Sequence, residues 1–265
     1  MAGGALDIAP VSLAFVDTGN PPAAALPPLV LLHGIGASGE DWEYQIPVFA
    51  PLCRVIVPDL RGYGRSPKGG AYTVEAFAAD VWALLVRLDI ERFNLVGHSM
   101  GGAVALRMAV DRPGCIDRLV LANTLPSFVT DTFGKAMLYW YRLVVMWLFG
   151  PAWLAETVQK KLFPKPEHAA LRARLNARSV RRDREVYLHT LHALKGWSIV
   201  DRLQELSMPT LVLAAENDYF PRGDAQAFVA ALPNARLQIF DDTHHHLPLE
   251  VPERFNAAVL TFLKQ

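Results

Sequence analysis

Residues 94–102, Asn94-Leu95-Val96-Gly97-His98-Ser99-Met100-Gly101-Gly102, place a serine between two glycines in the order G-x-S-x-G. An apolar run precedes the motif and small residues at helical spacing follow it. A serine held on a sharp turn between a buried strand and a helix has its hydroxyl lifted clear of the sheet, the nucleophile elbow, ready to attack an acyl carbon. Cβ atoms at Gly97 and Gly101 would collide with neighbouring backbone in such a turn, and the strain is held by its surroundings. The bare motif arises by chance in roughly one chain in ten, given ordinary glycine usage. The flanking strand and helix are what raise Ser99 above a glycine-rich turn whose serine merely caps a helix.

Attack by Ser99 would build negative charge on the carbonyl oxygen, and two backbone N–H groups are available to meet it. Met100 N–H opens the helix after the serine. Upstream, Leu29 to Leu32 reads as a buried strand ending in His33-Gly34-Ile35-Gly36, a glycine-rich turn that leaves Ile35 N–H free as a second donor. Each such donor is worth on the order of 3 kcal/mol in acyl transfer. His33, at the strand end, is expected to brace the turn rather than to move a proton.

The elements that must hold these groups follow from hydrophobic patterning. Short apolar runs read as strands at Val11 to Asp17, Leu29 to His33, Arg54 to Pro58, Phe93 to Gly97, Arg118 to Ala122, Thr210 to Ala215 and Arg236 to Phe240. The last six are rich in Val, Leu and Ile, as strands buried on both faces are. Thr73 to Leu88, Met100 to Asp111, Gly223 to Leu232 and Pro252 to Leu263 carry helical spacing. The expected class is α/β, a mostly parallel sheet with helices on both faces. After Ala122 no convincing strand occurs until Met208, so residues 124–207 are expected to form a helical cap on a core of residues 1–123 and 208–265.

Three segments in order, His33-Gly34, Asp59-Leu60-Arg61-Gly62-Tyr63-Gly64-Arg65-Ser66 and Gly97-His98-Ser99-Met100-Gly101-Gly102, resemble the α/β-hydrolase superfamily over the whole chain outside the cap. The resemblance implies the α/β-hydrolase sheet with its cap inserted after the sixth strand, and a structural role for Asp59 and Arg61. It also implies a chain order of serine, acid, then histidine. The family's histidine, five residues before Glu-x-Pro, corresponds to His245 in Thr243-His244-His245-His246-Leu247-Pro248-Leu249-Glu250, where His244 stands in the usual glycine position. The family's acid loop corresponds to Ala215-Glu216-Asn217-Asp218-Tyr219-Phe220-Pro221, with Asp218 as the acid and Glu216 as the fallback. Some relatives carry the acid one strand earlier, but Asn123 there has no charge. Three consecutive histidines cannot all converge on one ion, so no metal or other cofactor is expected.

The resemblance therefore implies a serine hydrolase of the esterase, enol-lactonase and lipase-like branches, acting on an ester or lactone through an acyl-enzyme. The cap's Trp140, Trp147 and Trp153, with Tyr141, Val145, Met146 and Phe149, are expected to form an apolar substrate pocket, and His98 to border it. Other readings on the same triad are a meta-cleavage-product C–C hydrolase and a cofactor-free haloperoxidase or perhydrolase. The first usually has an aromatic after its histidine, where this chain has His246, and the second a Phe at the position of His98. A reading of another class is a non-catalytic small-molecule receptor of the same fold.

Bulk composition narrows the partners. Of 265 residues, 26 are Lys or Arg and 26 Asp or Glu, which gives no electrostatic footprint for nucleic acid. Cys53 and Cys115 lack zinc or redox spacing and are expected to be buried thiols. Met1 to Pro10 lacks the pattern of a secretory leader, which points to a cytoplasmic protein. The apolar stretch Ala136 to Leu154 approaches a membrane span in length but contains Arg142 and ends at Gly150-Pro151, so peripheral membrane contact is the remaining possibility. Arg172, Arg174, Arg178, Arg181, Arg182 and Arg184, interleaved with acids, are expected to form a solvated helix face. The oligomeric state is left open.

Overall fold

The computed structural model describes residues 10–130, 133–179 and 183–265. The N-terminal leader reading and Arg181 and Arg182 lie outside the described residues. Seven strands form one sheet: β1 (Phe15–Asp17), β2 (Leu29–Leu32), β3 (Val55–Pro58), β4 (Phe93–His98), β5 (Ile116–Ala122), β6 (Thr210–Ala215) and β7 (Ala235–Phe240), in the order β1-β3-β2-β4-β5-β6-β7. Among the described strands only β1 runs antiparallel, against β3.

Alternating side chains of the strands feed two cores. Val30, Leu32, Ile56, Leu95, Leu119 and Leu121 point to one face, under α1 (Val74–Arg87) and α2 (Met100–Asp111). Leu29, Leu31, Val55, Val57, Val96 and Val120 point to the other, under α7 (Pro252–Leu263). This double burial explains why β2 and β3 read as unbroken apolar runs and why β4 and β5 carry Val and Leu at consecutive positions. β7 differs: alternate residues are exposed because it is the sheet edge, so the expectation of burial on both faces fails there. Between β6 and β7 lies α6 (Arg222–Ala230).

The chain moves from β2 outward to β3 and then returns to pair β4 on the other side of β2, with Leu32 opposite Gly97. The crevice beyond the carboxyl ends of β2 and β4 is therefore a topological switch point, the usual place for a ligand in an open α/β sheet. Ile35 and Ser99 both follow those strand ends.

Helices α3 (Phe133–Leu162), α4 (Ala169–Ser179) and α5 (Arg184–Leu194) lie between β5 and β6. This insertion leaves the sheet after the fifth strand, one earlier than the sixth expected, since among the described residues only β1 precedes β2. α3 breaks at Gly150, whose φ of +78° leaves helical geometry just before Pro151. Among the described residues no helix is long and apolar enough to cross a membrane.

The arginines of α4 depart from a solvated face. Arg178 pairs with Glu43 at 2.8 Å and with Asp41 at 3.5 Å, and Arg174 reaches Glu43 at 2.9 Å and the Tyr44 hydroxyl at 2.7 Å. The acidic residues after β2 draw these guanidinium groups onto the core, which ties the insertion down over the crevice. Cys53 is buried as expected, and burial pushes its thiol up to about 11; Cys115 is only half-buried.

Candidate active site

Ser99 has φ 53° and ψ −118°, a conformation that costs free energy for any residue with a Cβ. The surroundings enforce it. A Cβ on Gly97 would fall on the carbonyl of Gly101, and one on Gly101 on the carbonyl of Leu32, so only glycine allows α2 to start this close to β2.

The hydroxyl meets the second required group directly. His245 Nε2 lies 2.9 Å from Ser99 Oγ, and its Nδ1 lies 2.6 Å from Asp218 Oδ1. Asp218 also accepts from Asn123 Nδ2 and from Tyr219 N–H, each at 2.6 Å. Burial alone pushes the Asp218 carboxyl up; His245, Asn123 and Tyr219 N–H together outweigh it and hold the group below its ordinary value. Asp218 thus stays ionised and fixes Nδ1–H on His245, which leaves Nε2 as an acceptor for the serine proton.

The three consecutive histidines are sorted by three different carboxylates. His244 Nδ1 lies 2.8 Å from Glu250 Oε1, and its N–H donates to Glu250 Oε2 at 2.6 Å. His246 Nε2 lies 3.2 Å from Asp41 Oδ2. Only His245 faces Ser99. Glu250, of the Glu-x-Pro signature, shapes the turn from which His245 projects. Glu216, the fallback acid, is exposed and accepts Asp242 N–H instead.

The other expected residues divide. Ile35 and Met100 both border the larger cavity that Ser99 opens onto. His33 braces its turn, with Nδ1–H donating to Gly34 O at 2.9 Å and Nε2 accepting from Leu60 N–H at 3.0 Å. Arg61 is buried in a two-point ion pair with Asp80 at 2.6 Å, and Asp59 accepts the N–H groups of Gly39 and Arg65. Both are structural. His98 borders the smaller cavity, but its Nε2–H donates to His245 O at 2.8 Å and its ring stacks on His246, so it also anchors the histidine loop.

The tryptophans are a correction. Trp140, Trp147 and Trp153 are 55%, 63% and 43% exposed and border neither cavity at Ser99. Residues seven apart share a helix face, so Trp140 and Trp147 look outward together while Tyr139, Arg142 and Met146 look inward. Phe149 stacks on Trp153 outside as well.

Two cavities meet at the serine. The smaller runs under α3 along Met146, Leu154, Val158 and Phe163 to His246. The larger, about 370 Å³, is lined by Leu125, Phe128, Leu138, Tyr139, Leu191 and Phe220. Arg142 borders both, and sequence reasoning passed over it; the signal was a lone arginine in an apolar, aromatic run. Asn123 was set aside for lacking charge, yet it orients the acid.

The family described as alpha/beta hydrolase fold matches residues 27–252. The chain belongs to the α/β-hydrolases. Among individual relatives, a protein of Caulobacter sp. (strain K31) with the provisional name carbamate hydrolase RutD is 32% identical over 250 residues, covering 91% of this chain and 92% of its own. A thermophilic esterase from Thermogutta terrifontis superposes with a TM-score of 0.82 at 28% identity, over 95% of this chain and 93% of its own. The enol-lactonase of Burkholderia xenovorans LB400 has a TM-score of 0.86 over 96% of each chain; at 24% identity it shows a shared fold. As an α/β-hydrolase, this chain carries its Ser-His-Asp constellation in the family's order, with the described cavities beneath the insertion between β5 and β6.

Proposed function

We propose that this α/β-hydrolase is a carboxylic ester hydrolase acting on esters or lactones with an apolar group. The observation that carries the reading is His245 bridging Ser99 at 2.9 Å and Asp218 at 2.6 Å, with the serine on a strained turn at the switch point. Ser99 Oγ attacks the acyl carbon as its proton passes to His245 Nε2. The oxyanion so formed accepts from Met100 N–H and Ile35 N–H at the head of α2 and the end of β2. His245 then gives the proton to the departing alkoxide, which leaves an acyl-Ser99. A water deprotonated by His245 attacks that ester, and collapse returns Ser99 and the acid. Asp218 stabilises the imidazolium in both halves without taking its proton.

Residues 124–207 act as the cap that closes the site, and the apolar lining of the larger cavity favours a hydrocarbon portion on the substrate. Carbamate hydrolysis, the activity in the RutD name, uses the same attack on a carbonyl whose leaving group is nitrogen. Two free thiols accord with a cytoplasmic setting. Peripheral membrane contact, if present, uses the exposed Trp140, Trp147 and Trp153 face; failure to pellet with liposomes removes it.

The test is a panel of p-nitrophenyl esters and lactones of graded acyl length, with a fluorophosphonate label for the serine. Wild type is expected to turn over short and medium esters and to take one label per chain, and Ser99→Ala to lose both. Ester hydrolysis retained in Ser99→Ala overturns the scheme. Labelling with negligible turnover of every ester, together with ligand-dependent melting, favours a receptor instead.

A further inference from the structure

The two cavities share Ile35, Ser99, Arg142, Tyr219 and His245. Arg142 therefore stands where both halves of a substrate meet, beside the position of the scissile carbonyl. It is the single charged group within the run from Ala136 to Trp153, and α3 turns it inward while the tryptophans of the same helix face out.

Its contacts leave it short of an anion. The guanidinium lies 5.2 Å from the Tyr219 ring centroid, while Nε is buried without a partner. Among the described residues no carboxylate pairs with it. Asp218 acts on it through space, but its two oxygens are occupied by His245, Asn123 and Tyr219 N–H. A half-buried guanidinium whose buried Nε has no partner is unfavourable unless an anion arrives to meet it, and its planar fork suits a carboxylate.

We infer that Arg142 is a specificity-determining residue that receives a carboxylate of the substrate close to the scissile carbonyl, so that anionic esters or lactones are preferred over neutral ones of the same length. This rests on the reading of Ser99 as nucleophile. The larger cavity then holds the apolar remainder. The competing role for Arg142 is to hold Tyr219, whose ring lies 4.4 Å from that of His245, in place.

The experiment compares monoethyl succinate with ethyl butyrate, matched in acyl length and differing by one charge, followed by pH-stat. Wild type is expected to have the higher kcat/KM on monoethyl succinate. Arg142→Gln should lower that value at least ten-fold, mainly through KM, and leave ethyl butyrate within about two-fold; Arg142→Lys should keep part of the preference. An equal loss on both esters assigns Arg142 to holding Tyr219 and overturns the inference, as does a wild type that prefers ethyl butyrate. Should wild type hydrolyse neither and refuse the fluorophosphonate, the nucleophile reading fails separately. Succinate raising the melting temperature of wild type and not of Arg142→Gln then still supports the anion site, and no such rise overturns it.

Discussion

Asn123 Nδ2 donates to Asp218 Oδ2 at 2.6 Å across adjacent strand ends. Asn123 directly follows β5 at φ 48°, a left-handed conformation that Asn and Asp tolerate better than most residues. The bond engages the oxygen of Asp218 that His245 does not use.

Asn123→Asp keeps the backbone and replaces this donor with a like charge. A second carboxylate there adds negative charge beside the His245–Asp218 pair and favours the protonated, inactive imidazolium, so the acid limb of the kcat/KM profile should move up by roughly one pH unit. In wild type the folded carboxylate lies below its ordinary 3.8, so the stabilisation it brings is present above that value and lost as pH falls through the lower folded one. A pH–rate profile of the variant on a p-nitrophenyl ester reads the shift. An unmoved acid limb denies Asn123 this part.

His98 is buried, and burial first, then the neighbouring His246 and His245, hold its imidazole well below 6.5. Below pH 6.5 the unfolded chain takes up a proton that the folded one refuses, so stability falls as pH drops from 6.5 toward the folded value. His98→Gln retains an N–H for His245 O and removes the titration. Thermal melts from pH 8 to pH 5 should show a shallower acid decline in the variant, with about 1.4 kcal/mol recovered per pH unit at most. Parallel declines would show that other groups govern acid stability.

The two faces of α3 make opposite demands. Met146 is buried against the smaller cavity, and Trp147 beside it points to solvent. Trp147→Ser should leave kcat/KM on every p-nitrophenyl ester within roughly two-fold. Met146→Ala should shift the preferred acyl length, changing the ratio between neighbouring chain lengths by about ten-fold. A large effect of Trp147→Ser on that ratio would mean that the cap closes in a different arrangement during turnover.

Much of this molecule is legible in order along the chain. The strands β2 to β6 are rich in Val, Leu and Ile because both their faces are covered, and α2 begins at Met100 because Gly97 and Gly101 permit nothing bulkier. Thr73 caps α1 through Ala76 N–H, as a Thr before an apolar-periodic segment predicts. Ser99 is legible from its glycine-flanked motif between a strand and a helix, whereas Asp218 and His245 were marked by the resemblance to the α/β-hydrolases and not by residue type or spacing alone. β7 was misjudged because apolar content does not reveal that a strand is an edge.

What the chain determined by itself is local: which segments form strands and helices, and which turn carries a strained serine. What only the tertiary structure decided is the partner of each side chain. Nothing in His244-His245-His246 says which ring faces Ser99; that depends on Glu250, Asp218 and Asp41 arriving from distant segments to claim one ring each. Nor does helical period say which face of α3 is inward, because both faces are apolar and only packing against the core turns Arg142 in and Trp147 out. Side-chain direction on an element follows from its covalent geometry, whereas what lies in that direction is set by contacts between residues far apart in sequence.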